Sequence, residues 1–476
     1  MHKAIIPLLY VLIFSVSNLF AGNGSKPHYN DKDINHIVSQ LTLEQKARLL
    51  VGCPGSDKGV SHIVAGSAGY TFPIDSLDIP SINLADGPVG VRITPVLPNK
   101  PYTSYCTCFP STTALAATWN KDIARLEGNA IGDEALAYGV DIVLTPGINI
   151  MRNPLCGRNF EYFSEDPYLS GIMGAAMING IQDKGIGASL KHFIANNQQT
   201  GKLYNDARIS QRAIREIYLK GFEICIKNSD PWTVMGSYNK IGGQYTQANP
   251  ELLRTILRNE WNYNGLIVTD WYKKRDTADQ LNGGTDLMMP GEQSQVDEII
   301  AGVKNGRISE TTLNKSVKYV LKLISKSISN KGWEYNEAPD LAANAALARR
   351  IATEGMVLLK NDRSFLPISQ GAKIALFGAT AYKSIAGGTG SSNVNKAHIT
   401  DISTGLEKGG YTLSNRLKGL YTKFVEFQND LLDKHPESTD WEKLSYNRTV
   451  IAEMDLSKAE SIIGQEAKNS DIALIV

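Results

Sequence analysis

The sequence predicts an α/β protein: a (β/α) barrel of the TIM-like type, followed by a truncated second α/β unit. Short apolar runs alternate with amphipathic helical segments over about 250 residues, which is typical of parallel β/α units. Most of these runs end on polar or glycine residues, and active sites of such barrels form at the C-terminal ends of the strands. The alternation resumes after residue 340 and continues to the last residue of the chain.

The composition is that of an ordinary globular protein. The chain has 476 residues, of which 42% are hydrophobic and 20% charged, so it has material for a large core and is unlike a disordered, collagen-like or coiled-coil chain. Lys+Arg 49 against Asp+Glu 48 gives a net charge of +1. That balance indicates neither a nucleic-acid partner nor an acidic solvating tail.

Residues 1–21 (MHKAIIPLLYVLIFSVSNLFA) have the pattern of a secretory signal peptide. Lys3 supplies the positive start, an apolar stretch follows, and Ala21 is a small residue suited to precede a cleavage site. An anchoring transmembrane helix is the alternative, but the stretch is short for a span, and Pro7 and Asn18 interrupt it. We therefore expect a cleaved signal, a periplasmic or secreted bacterial protein, and no membrane association of the mature chain.

Neither the cysteines nor the histidines indicate a metal or a cofactor. Five cysteines are too few for a disulfide scaffold, and they predict structural thiols or one incidental bridge: Cys53, Cys106, Cys108, Cys156 and Cys225. The seven histidines are scattered singly, and the chain has no P-loop, no H-E-x-x-H and no G-x-S-x-G. We expect no cofactor and no metal ion.

Six apolar runs are predicted as barrel strands. They are Ser81–Ala85, Val140–Leu144, Gly187–Leu190, Thr233–Gly236, Gly265–Val268 and Asp286–Met289. Helices are predicted at Leu41–Leu50, Lys121–Ala137, Leu169–Asp183, Ser210–Asn228 and Pro250–Trp261.

The chain is predicted to divide into a signal peptide (1–21), a barrel (22–326), a polar, turn-rich linker (327–347) and a partial C-terminal domain (348–476). In the last part, strands are predicted at Met356–Lys360, Lys373–Gly378 and Asp471–Val476, and helices at Leu341–Glu354 and through most of Trp441–Lys468. A buried type of strand with nothing after it is a poor C-terminus. We therefore expect the second domain to be truncated.

Polar residues that end the apolar runs are the candidates for chemistry. Asp270 can act as a nucleophile or base, with the indole of Trp271 as a stacking face for a sugar; a helix N-cap is the alternative. Lys191 and His192 end another run, and both reach one pocket only if the backbone there is irregular, because successive strand residues face opposite sides. Asp86, followed by Gly-Pro, is either a site residue or part of a turn.

Two further segments contain candidate residues. In Cys156–Asp166 (CGRNFEYFSED), the guanidinium of Arg158 suits neighbouring hydroxyls or carboxylates, and a structural ion-pair network is the alternative. Gly387–Ser392 (GGTGSS) does not match G-x-G-x-x-G and lies well past its strand. A flexible loop that reaches toward another domain is favoured over a nucleotide site.

Taken together and in this order, six segments resemble glycoside hydrolase family 3, the β-glucosidase type. They are Asn83–Arg92 (NLADGPVGVR), Gly157–Asp166 (GRNFEYFSED), Ser189–Asn197 (SLKHFIANN), Val234–Asn239 (VMGSYN), Gly265–Trp271 (GLIVTDW) and Gly387–Ser392 (GGTGSS). The resemblance extends over roughly residues 35–476.

The resemblance implies an N-terminal barrel and a C-terminal α/β sandwich, with the active site between them. It implies an exo-acting, retaining hydrolase of terminal non-reducing β-D-glucosyl residues, with carbohydrate as its partner and Asp270 as the nucleophile that forms a glycosyl-enzyme intermediate. The residues that match the family's sugar-binding positions are Asp86, Arg158, Lys191, His192, Tyr238, Trp271 and Ser391. The resemblance also implies a cis Lys191–His192 peptide bond, through which both side chains reach the pocket.

Two departures from the family pattern concern the chemistry. A retaining glycosidase needs a second carboxyl, the acid/base, about 5–5.5 Å from the nucleophile. In this branch it follows the strand that Asp471–Val476 resembles, so we expect no acid/base glutamate in this chain, and none of the candidates matches its motif: Glu426, Glu437, Glu442 and Glu453. Gln199 and Lys202 stand near places where the family often has Glu and Arg, which puts accessory sugar contacts in doubt.

Two alternatives stay open on the sequence. One is a β-xylosidase or arabinosidase of the same family, and the other is a non-catalytic sugar-binding protein. A β-N-acetylhexosaminidase is disfavoured, because its K-H-F-P-G-H-G loop is replaced here by Lys191–Asn197 (KHFIANN). The sequence predicts no particular oligomeric state.

Overall fold

The structure is a computed structural model, and it describes residues 28–55, 64–94, 102–271, 275–433 and 453–476. The predicted signal segment lies outside the described residues. Within the described ranges, no helix combines the length and the hydrophobicity that a membrane span requires. All five cysteines are described, and all are free thiols.

The described strands are short, and we number them in chain order. They are β1 (Cys53–Pro54), β2 (Gly69–Tyr70), β3 (Asn83–Asp86), β4 (Ile142–Leu144), β5 (Gly187–Phe193), β6 (Asp206–Ala207), β7 (Thr233–Gly236), β8 (Lys240–Ile241), β9 (Gln244–Tyr245), β10 (Leu266–Val268), β11 (Lys373–Phe377), β12 (Thr412–Leu413) and β13 (Ile472–Ile475).

Helices connect and flank these strands. Among the described residues, the α-helices are Ile34–Gln40, Leu43–Leu49, Thr112–Ala117, Lys121–Tyr138, Pro167–Asp183, Gln211–Ala213, Lys220–Ser229, Thr277–Gly283, Gln293–Lys304, Glu310–Lys326, Leu341–Gly355, Ala379–Tyr382, Ile402–Lys408, Asn415–Asp433 and Glu460–Lys468. Two π-helical stretches, Ile214–Tyr218 and Glu251–Glu260, lie where the sequence predicts parts of ordinary α-helices.

The helix boundaries follow local capping signals. Thr42 and Gln45 form a capping box at the start of Leu43–Leu49, each side chain bonding the other residue's backbone. Asp166 accepts hydrogen bonds from two amides at the start of Pro167–Asp183, so it acts as an N-cap. Gly139, with φ 77°, ends Lys121–Tyr138 in the left-handed conformation that glycine adopts most easily.

The main sheet confirms the predicted barrel. Its strand order is β1-β2-β3-β4-β5-β7-β10, with parallel pairing from β3 onward. The predicted sixth strand, Asp286–Met289, forms isolated parallel bridges instead, from Leu287 to Val268 and from Met288 to Val51. Because Val51 leads directly toward β1, these bridges connect the two edges of the sheet.

The polar segment after the barrel is anchored to the N-terminal edge of the sheet. Asp141, which directly precedes β4, accepts hydrogen bonds from the backbone N–H (2.9 Å) and the hydroxyl (2.8 Å) of Ser329. Asn330 donates to the Tyr29 carbonyl at 2.8 Å. The segment is therefore irregular in backbone but fixed in place.

The second unit contains a three-stranded parallel sheet in the order β12-β11-β13. The prediction of a strand at Met356–Lys360 was wrong: this run is irregular, with Met356 77% and Leu359 92% exposed. A strand needs a neighbour for its backbone hydrogen bonds, and no described strand pairs with this run.

The buried carboxyl of Glu127 predicts a pH-dependent stability. Glu127 lies in the helix Lys121–Tyr138, Oε2 has no hydrogen-bond partner among the described residues, and burial raises its pKa to about 8. In the unfolded chain the Glu127 carboxyl ionises near its ordinary pKa of 4.5. Between pH 4.5 and about 8, the folded state therefore holds a proton that the unfolded state has lost, and the free energy of unfolding falls as the pH rises through this range.

We expect Glu127→Gln to leave stability nearly unchanged at pH 5 and to raise it at pH 8.5 by a few kcal/mol, since each pKa unit corresponds to about 1.4 kcal/mol. Thermal unfolding at the two pH values measures this. Glu134→Ala is the contrast: Glu134 accepts from the Thr107 N–H and from Asn344, so its removal leaves both donors without a partner and should destabilise at both pH values. Equal effects of Glu127→Gln at both pH values would contradict the account.

Candidate active site

The predicted site residues gather at the C-terminal edge of the main sheet. Neighbouring parallel strands carry them to this edge: Asp86 ends β3, Lys191 and His192 lie near the end of β5, and Tyr238 and Asp270 follow β7 and β10 by two residues each. Arg158 lies in the connection after β4 and interacts electrostatically with Asp270. The structure therefore brings these residues to one edge of the sheet, as the strand-end rule predicts.

Asp270 lies buried with one oxygen occupied. Its side chain is 8% exposed; Oδ1 accepts from the Trp271 N–H at 2.8 Å, and Oδ2 lies 3.9 Å from His192 Nε2 without a standard hydrogen bond to it. Burial raises the pKa of Asp270, while Arg158, the Trp271 amide and Lys191 act to lower it. Arg158 and Lys191 thus lower the pKa of Asp270 as expected, but burial raises it by more.

Lys191 and His192 both reach the site, because the backbone between them is irregular. The pairing of β5 with β7 is interrupted between Leu190 and Phe193, and the Lys191–His192 peptide bond is cis, as the family resemblance implies. Both side chains are buried. Burial lowers the pKa of Lys191, and the carboxylate of Glu161 opposes that shift most strongly.

Arg158 forms the structural ion pair that the sequence left open as the alternative, and its charge also acts on Asp270. Its Nε donates to the buried carboxylate of Glu161, three residues along, which fixes the guanidinium in a structural ion pair. The same guanidinium lowers the pKa of Asp270 through its charge. The ion pair therefore holds a cation beside the candidate nucleophile.

Asp86 is held by a residue that sequence reasoning missed. Arg92 Nη1 donates to Asp86 Oδ2 at 3.2 Å across the turn after β3. Arg92 is the last residue of the motif NLADGPVGVR, so the motif contained the signal. The ion pair leaves the other oxygen of Asp86 for hydroxyl groups.

Trp271 and Tyr238 flank Asp270. The Trp271 indole N–H donates to the Ala68 carbonyl at 2.8 Å, which fixes the ring at the edge of β2. The Tyr238 hydroxyl also acts to lower the pKa of Asp270. Lys202 Nζ lies 5.0 Å from the centroid of the Tyr238 ring, so this departure from the family pattern still places a cation at the site.

The glycine-rich loop of the second unit lies against the barrel. A Cβ on Gly388 would lie 2.5 Å from the Phe160 ring, and one on Gly387 would lie 3.2 Å from Cys108 Sγ. This close approach requires glycine at both positions. Ser391 lies half-buried in the short turn Gly390–Ser392 that follows, so the loop reaches the segment that carries Arg158.

Fold and site together define a class: a two-unit α/β protein whose buried acidic site lies at the C-terminal edge of a β/α barrel. Within that class, residues 101–323 match the glycosyl hydrolase family 3 N-terminal domain, and residues 356–476 match the glycosyl hydrolase family 3 C-terminal domain. The chain belongs to glycosyl hydrolase family 3.

Several relatives resemble the chain over most of its length. Thermostable β-glucosidase B of Acetivibrio thermocellus is 40% identical over 410 residues, which cover 84% of this chain and 51% of the relative. An exo-α-(1→6)-L-arabinopyranosidase of Bifidobacterium longum is 37% identical over 78% of this chain and 49% of its own length. β-Glucosidase 3B of Thermotoga neapolitana, solved with α-D-glucose, is 41% identical with a TM-score of 0.83, over 93% of this chain and 62% of that one. The chain spans about half the length of the curated relatives it matches.

Proposed function

We propose that the protein is a retaining, exo-acting β-glycosidase that removes terminal non-reducing β-D-glucosyl residues through a covalent intermediate on Asp270. The observation that carries this proposal is the environment of Asp270, a buried carboxylate with an unpartnered Oδ2 beside the charges of Arg158 and Lys191. The similarity to β-glucosidases of Acetivibrio thermocellus and Thermotoga neapolitana supports it.

The chemistry follows from this arrangement. Asp270 Oδ2 attacks the anomeric carbon and the bond to the aglycone oxygen breaks. An alkoxide leaving group needs a proton from a general acid, whereas an activated aryloxide leaves as the anion. The glycosyl ester is then hydrolysed by water, so the sugar retains its configuration. Arg158 and Lys191 favour the ionised carboxylate that attacks, because their positive charges lower its pKa.

The remaining side chains suit recognition of the sugar. Asp86 can accept hydrogen bonds from hydroxyl groups, and the ion pair with Arg92 holds it in place. Hydrogen bonds to sugar hydroxyls that strengthen in the transition state lower the barrier and not only the Michaelis constant. We infer that Trp271 supplies the stacking face and Ser391 a contact from the second unit.

Rates on three aryl glycosides test the proposal. We expect kcat/KM to be highest on the aryl β-D-glucoside, lower on the β-D-xyloside, and lowest on the α-L-arabinopyranoside. Highest kcat/KM on either pentoside would favour the second candidate, a pentosidase, which the similarity to the Bifidobacterium longum arabinopyranosidase supports. Glucose binding by calorimetry without turnover of any glycoside would support a sugar-binding protein instead.

We also propose that residues 1–21 are removed on export, so that the mature protein acts in the periplasm or outside the cell. The lysine at position 3 and the apolar stretch before Ala21 support this. The intact mass of protein isolated from the periplasm or the medium would show the loss of this segment.

A further inference from the structure

The side chain of Asn149 replaces a strand neighbour for His192. Asn149 is buried in the connection after β4; its Nδ2 donates to the His192 carbonyl at 2.9 Å, and its Oδ1 accepts from the His192 N–H at 3.0 Å. Because the pairing of β5 with β7 is interrupted here, the backbone groups of His192 have no partner in that strand. The two bonds also define which way the amide points.

The imidazole Nδ1 of His192 faces two oxygens. It lies 3.3 Å from Asn149 Oδ1 and 3.3 Å from the Tyr162 hydroxyl oxygen. An amide oxygen can only accept a hydrogen bond. The Tyr162 hydroxyl lies 3.2 Å from the Asn196 carbonyl, which can only accept, and it receives a bond from Asn196 Nδ2 at 3.2 Å.

All of these contacts are satisfied together by a single arrangement of hydrogens. If Tyr162 donates to Asn196, its oxygen accepts from His192, and Nδ1 carries the proton. With the proton on Nε2 instead, the lone pair of Nδ1 would face the lone pairs of Asn149 Oδ1 at 3.3 Å. Burial and the charges of Arg158, Lys191 and Lys202 hold the pKa of His192 well below its ordinary value, which favours the neutral ring.

We propose that Asn149 and Tyr162 are positioning residues that fix His192 as the Nδ1–H tautomer, so that Nε2 faces the pocket as an acceptor for a sugar hydroxyl. Nε2 has no hydrogen bond to Asp270 Oδ2, since the two atoms are 3.9 Å apart. A hydroxyl that donates to Nε2 is thereby selected over a group that can only accept. The role in turnover rests on the proposed function, whereas the tautomer does not.

Nuclear magnetic resonance of the 476-residue chain with ¹⁵N-labelled histidine tests the tautomer directly. Long-range ¹H–¹⁵N correlations distinguish a protonated from an unprotonated ring nitrogen, and His192→Gln assigns the signal among the seven histidines. We expect a protonated Nδ1 in the parent and a shift toward protonated Nε2 in the double variant Asn149→Ala, Tyr162→Phe. Protonated Nε2 in the parent, or no change in the double variant, would overturn the proposal. Neutron diffraction from the unsubstituted protein locates the same hydrogen without any variant.

Kinetics separate positioning from a general structural role. Asn330→Ala is the matched control, because Asn330 is also buried and also bonds a backbone carbonyl, at the opposite edge of the sheet. We expect both variants to lower the melting temperature similarly, but only Asn149→Ala to lower kcat/KM on the aryl glucoside, on the order of 10²-fold. Equal kcat/KM in the two variants would refute the positioning role. If the parent protein does not hydrolyse the aryl glucoside, the proposed function is refuted. The tautomer of His192 would then be decided by the nuclear magnetic resonance measurement alone.

Discussion

Replacing Asp270 with Asn is expected to lower turnover of an aryl β-glucoside on the order of 10⁴- to 10⁶-fold, the range seen when one member of a covalent catalytic unit is removed. The amide has nearly the shape of the carboxylate, and its oxygen can still accept from the Trp271 N–H. The lost activity would therefore report the missing nucleophile and not a collapsed site. Initial rates and thermal unfolding of the purified variant measure the two effects separately.

Two comparisons sharpen this result. Asp230→Asn is the control, because Asp230 is exposed and adopts the left-handed conformation at the end of a helix, which asparagine also accepts. This variant should keep full activity. In Asp270→Gly, added azide should attack the anomeric carbon in place of the carboxylate and yield the α-glucosyl azide. Turnover of Asp270→Asn near the parent's level would exclude Asp270 as the nucleophile.

Replacing Asp286 with Ala is expected to lower the free energy of unfolding by about 3–5 kcal/mol. The buried carboxylate pairs with Arg258 at 2.6 Å and also accepts from the Ile267 N–H and the Ser316 hydroxyl. Its removal leaves the guanidinium, packed 3.9 Å from the centroid of the Tyr319 ring, buried with its charge unpaired. Because Asp286 fastens the bridged segment to β10, the loss should affect closure of the barrel.

An exposed ion pair provides the comparison for this effect. Arg125 and Asp183 lie 2.7 Å apart, but their side chains are 53% and 43% exposed, so Asp183→Ala should cost less than about 1 kcal/mol. Urea unfolding followed by circular dichroism compares the two variants under the same conditions. A cost for Asp286→Ala that is no larger than that for Asp183→Ala would show that the buried pair does not stabilise the barrel.

The strand-end rule explains why the sequence could predict that these candidate residues lie together. A parallel sheet brings the C-terminal ends of its strands to one edge, so local sequence signals at Asp86, Lys191 and Asp270 were enough to gather these residues. The cation charges of Arg158 and Lys191 at Asp270 followed from the motifs as well. The motifs did not predict that the pKa of Asp270 is raised overall, because that depends on how deeply the carboxylate is buried.

What the sequence missed are contacts between distant segments. Asn149 bonds His192 from 43 residues away, and neither periodicity nor spacing indicates such a contact. The strand predicted at Met356–Lys360 failed for a related reason, because an apolar run has strand propensity alone, whereas a strand requires a partner. The run at Asp286–Met289 pairs with a neighbouring segment on each side, but only through one isolated bridge each.

The most direct test of the central claim is mass spectrometry after incubation with an activated 2-deoxy-2-fluoro-β-glucoside. The account predicts one fluoroglucosyl adduct on the parent chain, located on the peptide that contains Asp270, and no adduct on Asp270→Asn. An adduct on another carboxylate, or none on a parent chain shown to be folded, would contradict the assignment of Asp270 as the nucleophile of a retaining β-glucosidase.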